Sequence, residues 1–86
     1  MATAPESLKT DVIAAIEAVA TILGPSEPTT TLASRGVTGF AAGTLAGPFQ
    51  RIAKRFKPDA NVGRSQCENL GTFADAIALV NTAAGF

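Results

Sequence analysis

Apolar residues recur at helical spacing in the first part of the chain. At about 100° per residue, one face of residues 4–23 carries Leu8, Val12, Ala15, Ile16, Val19 and Leu23. Thr3 and Glu6 have the spacing of a capping box, in which each side chain satisfies a free backbone N–H group. Gly24 followed by Pro25 is a strong stop signal, since glycine accepts a left-handed cap and proline cannot continue a helix. The pattern therefore predicts an amphipathic helix over residues 4–23 that packs against a partner.

The middle of the chain changes from a polar linker to a glycine-rich segment. Residues 25–34 contain two prolines and three consecutive threonines, which favour extended backbone, and Thr30 or Thr31 could cap the next helix. We expect helices over 32–47 and 48–57, with Pro48 either kinking one helix or separating two. Residues 58–64 then form a turn.

A third helical pattern covers residues 65–84. Ser65 and Glu68 have capping-box spacing, and Gly85 is a stop signal. The apolar side chains share a broad face made of Cys67, Leu70, Phe73, Ala74, Ile77 and Val80. No strand-like alternation is found in the chain. The sequence thus predicts a single all-α domain over 1–86 with three to four short helices, packed as a helical hairpin or small bundle, with an extended form inside an assembly left open.

Composition narrows the chemistry that the chain can carry. It has 86 residues, one cysteine and no histidine, tyrosine or tryptophan. A Ser-His or Cys-His catalytic pair, an imidazole metal site, an internal disulfide and a CxxC motif are therefore excluded. Cys67, in the first turn of a predicted helix, is interpreted as a small core residue rather than an activated thiol. We expect no enzymatic activity, no catalytic residue, no metal and no cofactor.

The formal net charge of zero conceals three blocks of charge. Residues 1–34 carry a net −3, residues 35–64 a net +5 and residues 65–86 a net −2. The start of the chain lacks the basic region of a secretory signal, and no apolar run reaches the ~18 residues of a membrane-spanning helix. The sequence does not identify the compartment of the protein, and we suspect that it is part of a particle, a filament or a membrane-associated complex.

Small residues form the first candidate site. On a continuous helix, one side would present Gly36, Gly39, Gly43, Gly47, Ala42 and Ala46. Each glycine inside a helix costs ~0.5–1 kcal/mol relative to alanine, so close packing against another backbone is needed to compensate. This small-residue strip could pack within the chain, against another copy, or within a membrane.

A basic amphipathic segment follows the strip. Phe49, Ile52 and Phe56 have helical spacing and are candidates for insertion into a membrane or a partner. The candidate phosphate-binding residues, for anionic lipid or nucleic acid, are Arg51, Lys54, Arg55, Lys57 and Arg64. An ordinary helix with a buried apolar face and solvated charges explains the same pattern.

In layout, residues 35–86 resemble conjugative pilins and filamentous-phage coat proteins, although no family motif matches residue by residue. Such proteins combine small-residue-rich helices with a basic segment that faces a lumen, lipid or DNA. The sequence thus favours a structural subunit that self-associates through helix packing in a virion, a filament or a membrane-bound complex. Its partners would be copies of itself or other subunits. The alternatives are a peripheral membrane protein that binds anionic lipid through residues 35–57, and a small basic nucleic-acid-associated module.

Overall fold

A computed structural model describes residues 4–86 as a small helical bundle. Within that range the elements, in chain order, are α1 (Glu6–Val19), a single 3₁₀ turn (Ala33–Arg35), α2 (Gly39–Gly43), α3 (Ala46–Lys54), α4 (Arg64–Glu68) and α5 (Phe73–Ala83). Helix α1 packs against α3 and α5, α3 also packs against α5, and α2 packs against α4. The predicted all-α fold is confirmed.

The first helix buries the face that its periodicity predicts. Leu8, Val12 and Ile16 are fully buried and meet Phe49 of α3 and Phe73 of α5 in one hydrophobic core. The helix ends at Val19, four residues earlier than expected, because the amides of Thr21 and Ile22 donate to the carbonyl of Arg35. Leu23 therefore lies outside the helix. Thr3 of the predicted capping box is outside the described residues.

The linker is attached to the beginning of α5. Thr31 and Thr72 form an isolated antiparallel bridge, and the Phe73 amide donates to the Thr30 carbonyl at 3.0 Å. The Thr31 hydroxyl also accepts from the Ser34 amide at 3.2 Å, although the N-cap of the 3₁₀ turn is Leu32. Gly24 has no positive φ, so the expected left-handed cap at this position is wrong.

The predicted helix over 32–47 is absent, because two glycines turn the backbone. Gly36 (φ +77°) and Gly39 (φ +53°) adopt left-handed conformations that interrupt a helix, and only α2 remains. Pro48 is the third residue of α3, where the helix needs no backbone donor, so it neither kinks one helix nor separates two. The break between α2 and α3 lies at Thr44 and Leu45.

The predicted helix over 65–84 is two helices. Residues 69–72 separate α4 from α5, and the capping box is formed by Thr72 and Asp75 instead of Ser65 and Glu68. At the start of α4, the Gln66 side chain accepts from the Gly63 amide at 2.8 Å. Gly85 (φ +90°) follows α5, as its position predicts. The turn at Asn69 and the irregular residues up to Thr72 thus interrupt a sequence pattern that is continuous.

Candidate functional site

The small residues do not form a continuous strip. Gly36 is half-buried and Gly43 is buried, whereas Gly39 and Gly47 are exposed. Their neighbours differ as well: Ala42 is buried in the core and Ala46 is half-buried against it. Because these residues belong to a turn and two separate helices, the prediction that they line one side of a single helix is wrong.

Gly43 makes room for an arginine of the same chain. A Cβ atom at Gly43 would lie 3.1 Å from the guanidinium nitrogens of Arg64, which reaches across from α4. The Arg64 guanidinium also lies 4.9 Å from the centre of the Phe40 ring, a cation–π distance. Phe40 is 74% exposed. Arg64 is therefore engaged with α2, and the close approach at Gly43 is internal to the chain.

The basic segment is divided between core and surface. Phe49 is fully buried and Ile52 is 9% exposed, so the prediction that these two side chains insert into a membrane or a partner is wrong. Phe56 lies at the surface and packs edge-to-face against Phe86, with ring centres 5.4 Å apart. Arg51, Lys54, Arg55 and Lys57 are all exposed.

The end of α3 provides a structural reason for these cations. Arg51 and Lys54 lie in the last turn and Arg55 caps it, where the negative end of the helix dipole favours positive charge by about 0.3–1 kcal/mol each. Arg55 also pairs with Asp11 of α1. Within residues 4–86 this is the single ion pair, so Arg51, Lys54 and Lys57 carry charge that no carboxylate there offsets.

An open cleft of about 480 Å³ lies between α1 and α3. Its apolar wall consists of Ala14, Ala15, Pro48 and Ile52. Charged side chains stand around it, namely Asp11, Arg51 and Arg55. Its shape follows from sequence: alanines on one helix and a proline on the other leave space where larger side chains would close the groove.

A loop with exposed apolar side chains follows α1. Ile22 is 52% exposed and Leu23 is 96% exposed, although periodicity predicts Leu23 in the core. The loop is nevertheless held in place, because Arg35 reaches into it. The Arg35 Nε donates to the Ile22 carbonyl at 2.7 Å, and its NH1 donates to the Pro25 carbonyl and the Ser26 hydroxyl, both at 3.0 Å.

Arg35 is the most informative residue that sequence reasoning passed over. It is only 5% exposed, and its guanidinium lies 5.9 Å from the centre of the Phe73 ring. Its charge is balanced indirectly: the Ser26 hydroxyl, which accepts from Arg35, donates to the Glu17 carboxylate at 2.8 Å. A buried charge needs such partners. Gly36 next to it indicates a turn, but nothing in the sequence predicts that Arg35 is buried.

The remaining chemistry of the described chain is limited. Cys67 is fully buried, and burial, followed by the nearby Glu68 carboxylate, raises the pKa of its thiol. Among residues 4–86, no three cysteine or carboxylate side chains lie close enough together to hold a metal ion. In the same range, every helix is too short or too polar to cross a bilayer.

Comparison with protein families, with curated proteins and with solved structures finds no match to this chain.

Proposed function

We propose that this chain is a non-enzymatic structural subunit that associates with copies of itself in a larger assembly. The observation that carries the proposal is the pair of neighbouring apolar side chains, Ile22 and Leu23, which a buried arginine holds at the surface. Single exposed leucines are common on proteins and need no explanation. Two adjacent aliphatic side chains on a loop fixed by three side-chain hydrogen bonds are a preorganised contact surface.

The proposed contact differs from the one that the sequence suggests. Gly36 and Gly43 face Thr21 and Arg64 of the same chain, so they are not free to receive a second backbone. The side chains that contribute most to association by leaving water are the neighbouring Ile22 and Leu23. We therefore place the self-association contact on the surface of the folded domain. The small residues instead allow close packing within the domain.

Sedimentation velocity of the purified chain tests the proposal. Burying one large aliphatic side chain contributes about 1.5–3 kcal/mol, which alone does not exceed the loss of rotational and translational freedom on association. Self-association should therefore be weak. We expect the weight-average molar mass to increase as the protein concentration is raised from micromolar to millimolar, and to fall again in mild detergent. A mass equal to that of the monomer across this whole range would contradict the proposal.

A second candidate function is binding to an anionic lipid surface. Arg51, Lys54 and Lys57 are exposed and lack an ion-pair partner within residues 4–86. The surface aromatic residue Phe56 is next to Lys57, and aromatic side chains beside cations suit the membrane interface. This aromatic neighbour favours lipid over nucleic acid. The buried Phe49 and Ile52 limit the contact to the surface of the bilayer.

Neutralising two lysines tests the lipid candidate. A juxtamembrane cation contributes about 1 kcal/mol on an anionic membrane, so Lys54→Gln with Lys57→Gln should weaken binding to phosphatidylserine vesicles roughly 30-fold. Lys9→Gln is the matched control, because Lys9 is exposed on α1 and outside this cluster. Co-sedimentation with anionic and neutral vesicles measures both variants. Binding to duplex DNA without binding to anionic vesicles would reject the lipid candidate.

A further inference from the structure

We infer that the loop carrying Leu23 docks into the α1–α3 cleft of a second copy of this chain, an inference that rests on the proposed self-association. The two surfaces adjoin the same helix: the cleft is bordered by Ala14 and Ala15 of α1, and the loop begins where α1 ends. Leu23 is 96% exposed, so it does not occupy the cleft of its own chain.

The loop has the properties of a preformed ligand. Arg35 fixes the main chain at Ile22 and Pro25, on both sides of Leu23, through two hydrogen bonds to carbonyl groups. Thr21 and Ile22 are held in addition by their amides, which donate to the Arg35 carbonyl at 3.0 and 3.2 Å. The apolar side chain is thus presented without a further entropic cost of ordering the loop upon docking.

The cleft is a shallow, open groove with a partly apolar surface. Its volume of about 480 Å³ lies in the lower part of the range for ligand pockets, and it is open to solvent. Its apolar wall is made of small or compact side chains, chiefly Ala14, Ala15 and Pro48. Such a groove has room for an aliphatic side chain and part of a loop.

Charge favours another copy as the occupant. Glu27 is exposed on the loop, whereas the carboxylate of Glu17 already balances Arg35 through the Ser26 hydroxyl. Around the cleft, the carboxylate of Asp11 is already paired with Arg55, which leaves the positive charge of Arg51 free. The exposed Leu23 with its acidic neighbour Glu27 therefore complements an apolar groove with Arg51 at its edge, and the same chain supplies both surfaces.

Two pairs of variants test the contact by sedimentation velocity. Leu23→Asp should raise the dissociation constant of self-association at least tenfold, whereas Phe40→Asp, which also replaces an exposed apolar side chain by a carboxylate, should leave it unchanged. Ala14→Gln, which partly fills the cleft, should have the same effect as Leu23→Asp. Its control is Ala18→Gln, because Ala18 is exposed on the same helix and does not border the cleft. Circular dichroism verifies the fold of each variant.

Mixing the Leu23→Asp and Ala14→Gln variants gives the decisive test of the loop-to-cleft contact. Leu23→Asp retains an intact cleft and Ala14→Gln retains an intact loop, so an equimolar mixture should associate more tightly than either variant alone. If the wild-type chain associates but Leu23→Asp behaves like Phe40→Asp, or mixing restores nothing, the loop-to-cleft contact is wrong while the proposed function stands. If Leu23→Asp loses binding to vesicles while the wild-type chain stays monomeric, the loop meets lipid and both proposals are overturned.

Discussion

Gly36→Ala is expected to destabilise the fold by about 3 kcal/mol, the largest effect of a single added methyl group in this chain. Gly36 has φ +77°, a left-handed conformation that costs a residue with a Cβ atom roughly 1–2 kcal/mol. The added Cβ would also lie only 2.0 Å from the Thr21 hydroxyl and 3.4 Å from an Ile22 side-chain carbon. The Thr21 side chain, or the loop that carries it, must therefore move. Urea denaturation measures the change in the free energy of unfolding.

Gly39→Ala separates the two causes of this effect. Gly39 also has a positive φ (+53°), but a Cβ atom there would meet nothing within 4 Å. We expect a loss of about 1 kcal/mol, from backbone strain alone. Gly36→Ala in a Thr21→Ala background should recover most of the difference, because the clashing hydroxyl is gone. Equal losses for Gly36→Ala and Gly39→Ala in the wild-type background would show that the contact with Thr21 has no energetic role.

Arg35→Met is expected to cost about 2–4 kcal/mol and to release the loop after α1. Methionine keeps an apolar stem beside Phe73 but donates no hydrogen bond to the carbonyls of Ile22 and Pro25. Arg35→Lys should recover only a small part of the loss, since an ammonium group cannot reproduce the planar fork of the guanidinium. Urea denaturation measures the stability.

Amide hydrogen exchange measures the release of the loop. The amides of Thr21 and Ile22, which donate to the Arg35 carbonyl, should exchange faster in Arg35→Met while the amides of α3 follow only the global change. Arg51→Met is the control, because Arg51 is exposed and its replacement should lose no more than its helix-dipole interaction of about 0.3–1 kcal/mol. Unchanged exchange at Thr21 in Arg35→Met would mean that the loop is held by other contacts.

The sequence predicts the periodic parts of this fold well and the turns poorly. Leu8, Val12 and Ile16 are buried as their spacing indicates, because amphipathic periodicity directly reflects burial. Gly36 and Gly39 could not be distinguished from packing glycines, since the same residue type serves close helix approach and positive φ. Ser65 and Thr72 each stand three residues before a carboxylate, but Ser65 lies inside α4, and only Thr72 is the N-cap of a helix.

The candidate surfaces were less predictable for a different reason. The spacing of Phe49 and Ile52 indicates an apolar face correctly, but spacing alone does not say whether that face meets the core or a membrane. Arg35 would be expected in solvent, and its burial depends on carbonyls of Ile22 and Pro25, ten or more residues away. The exposure of Leu23 follows from the same contacts. Long-range hydrogen bonds of this kind have no local sequence pattern.

The bridge between Thr31 and Thr72 has a consequence for the order in which the chain can fold. It joins positions about forty residues apart, and α2, α3 and α4 all lie between them. Closing a loop of this length costs chain entropy before any contact within α5 compensates for it. We therefore expect the linker to join the first turn of α5 late in folding, and the chain to fold more slowly than a bundle whose helices make only local contacts.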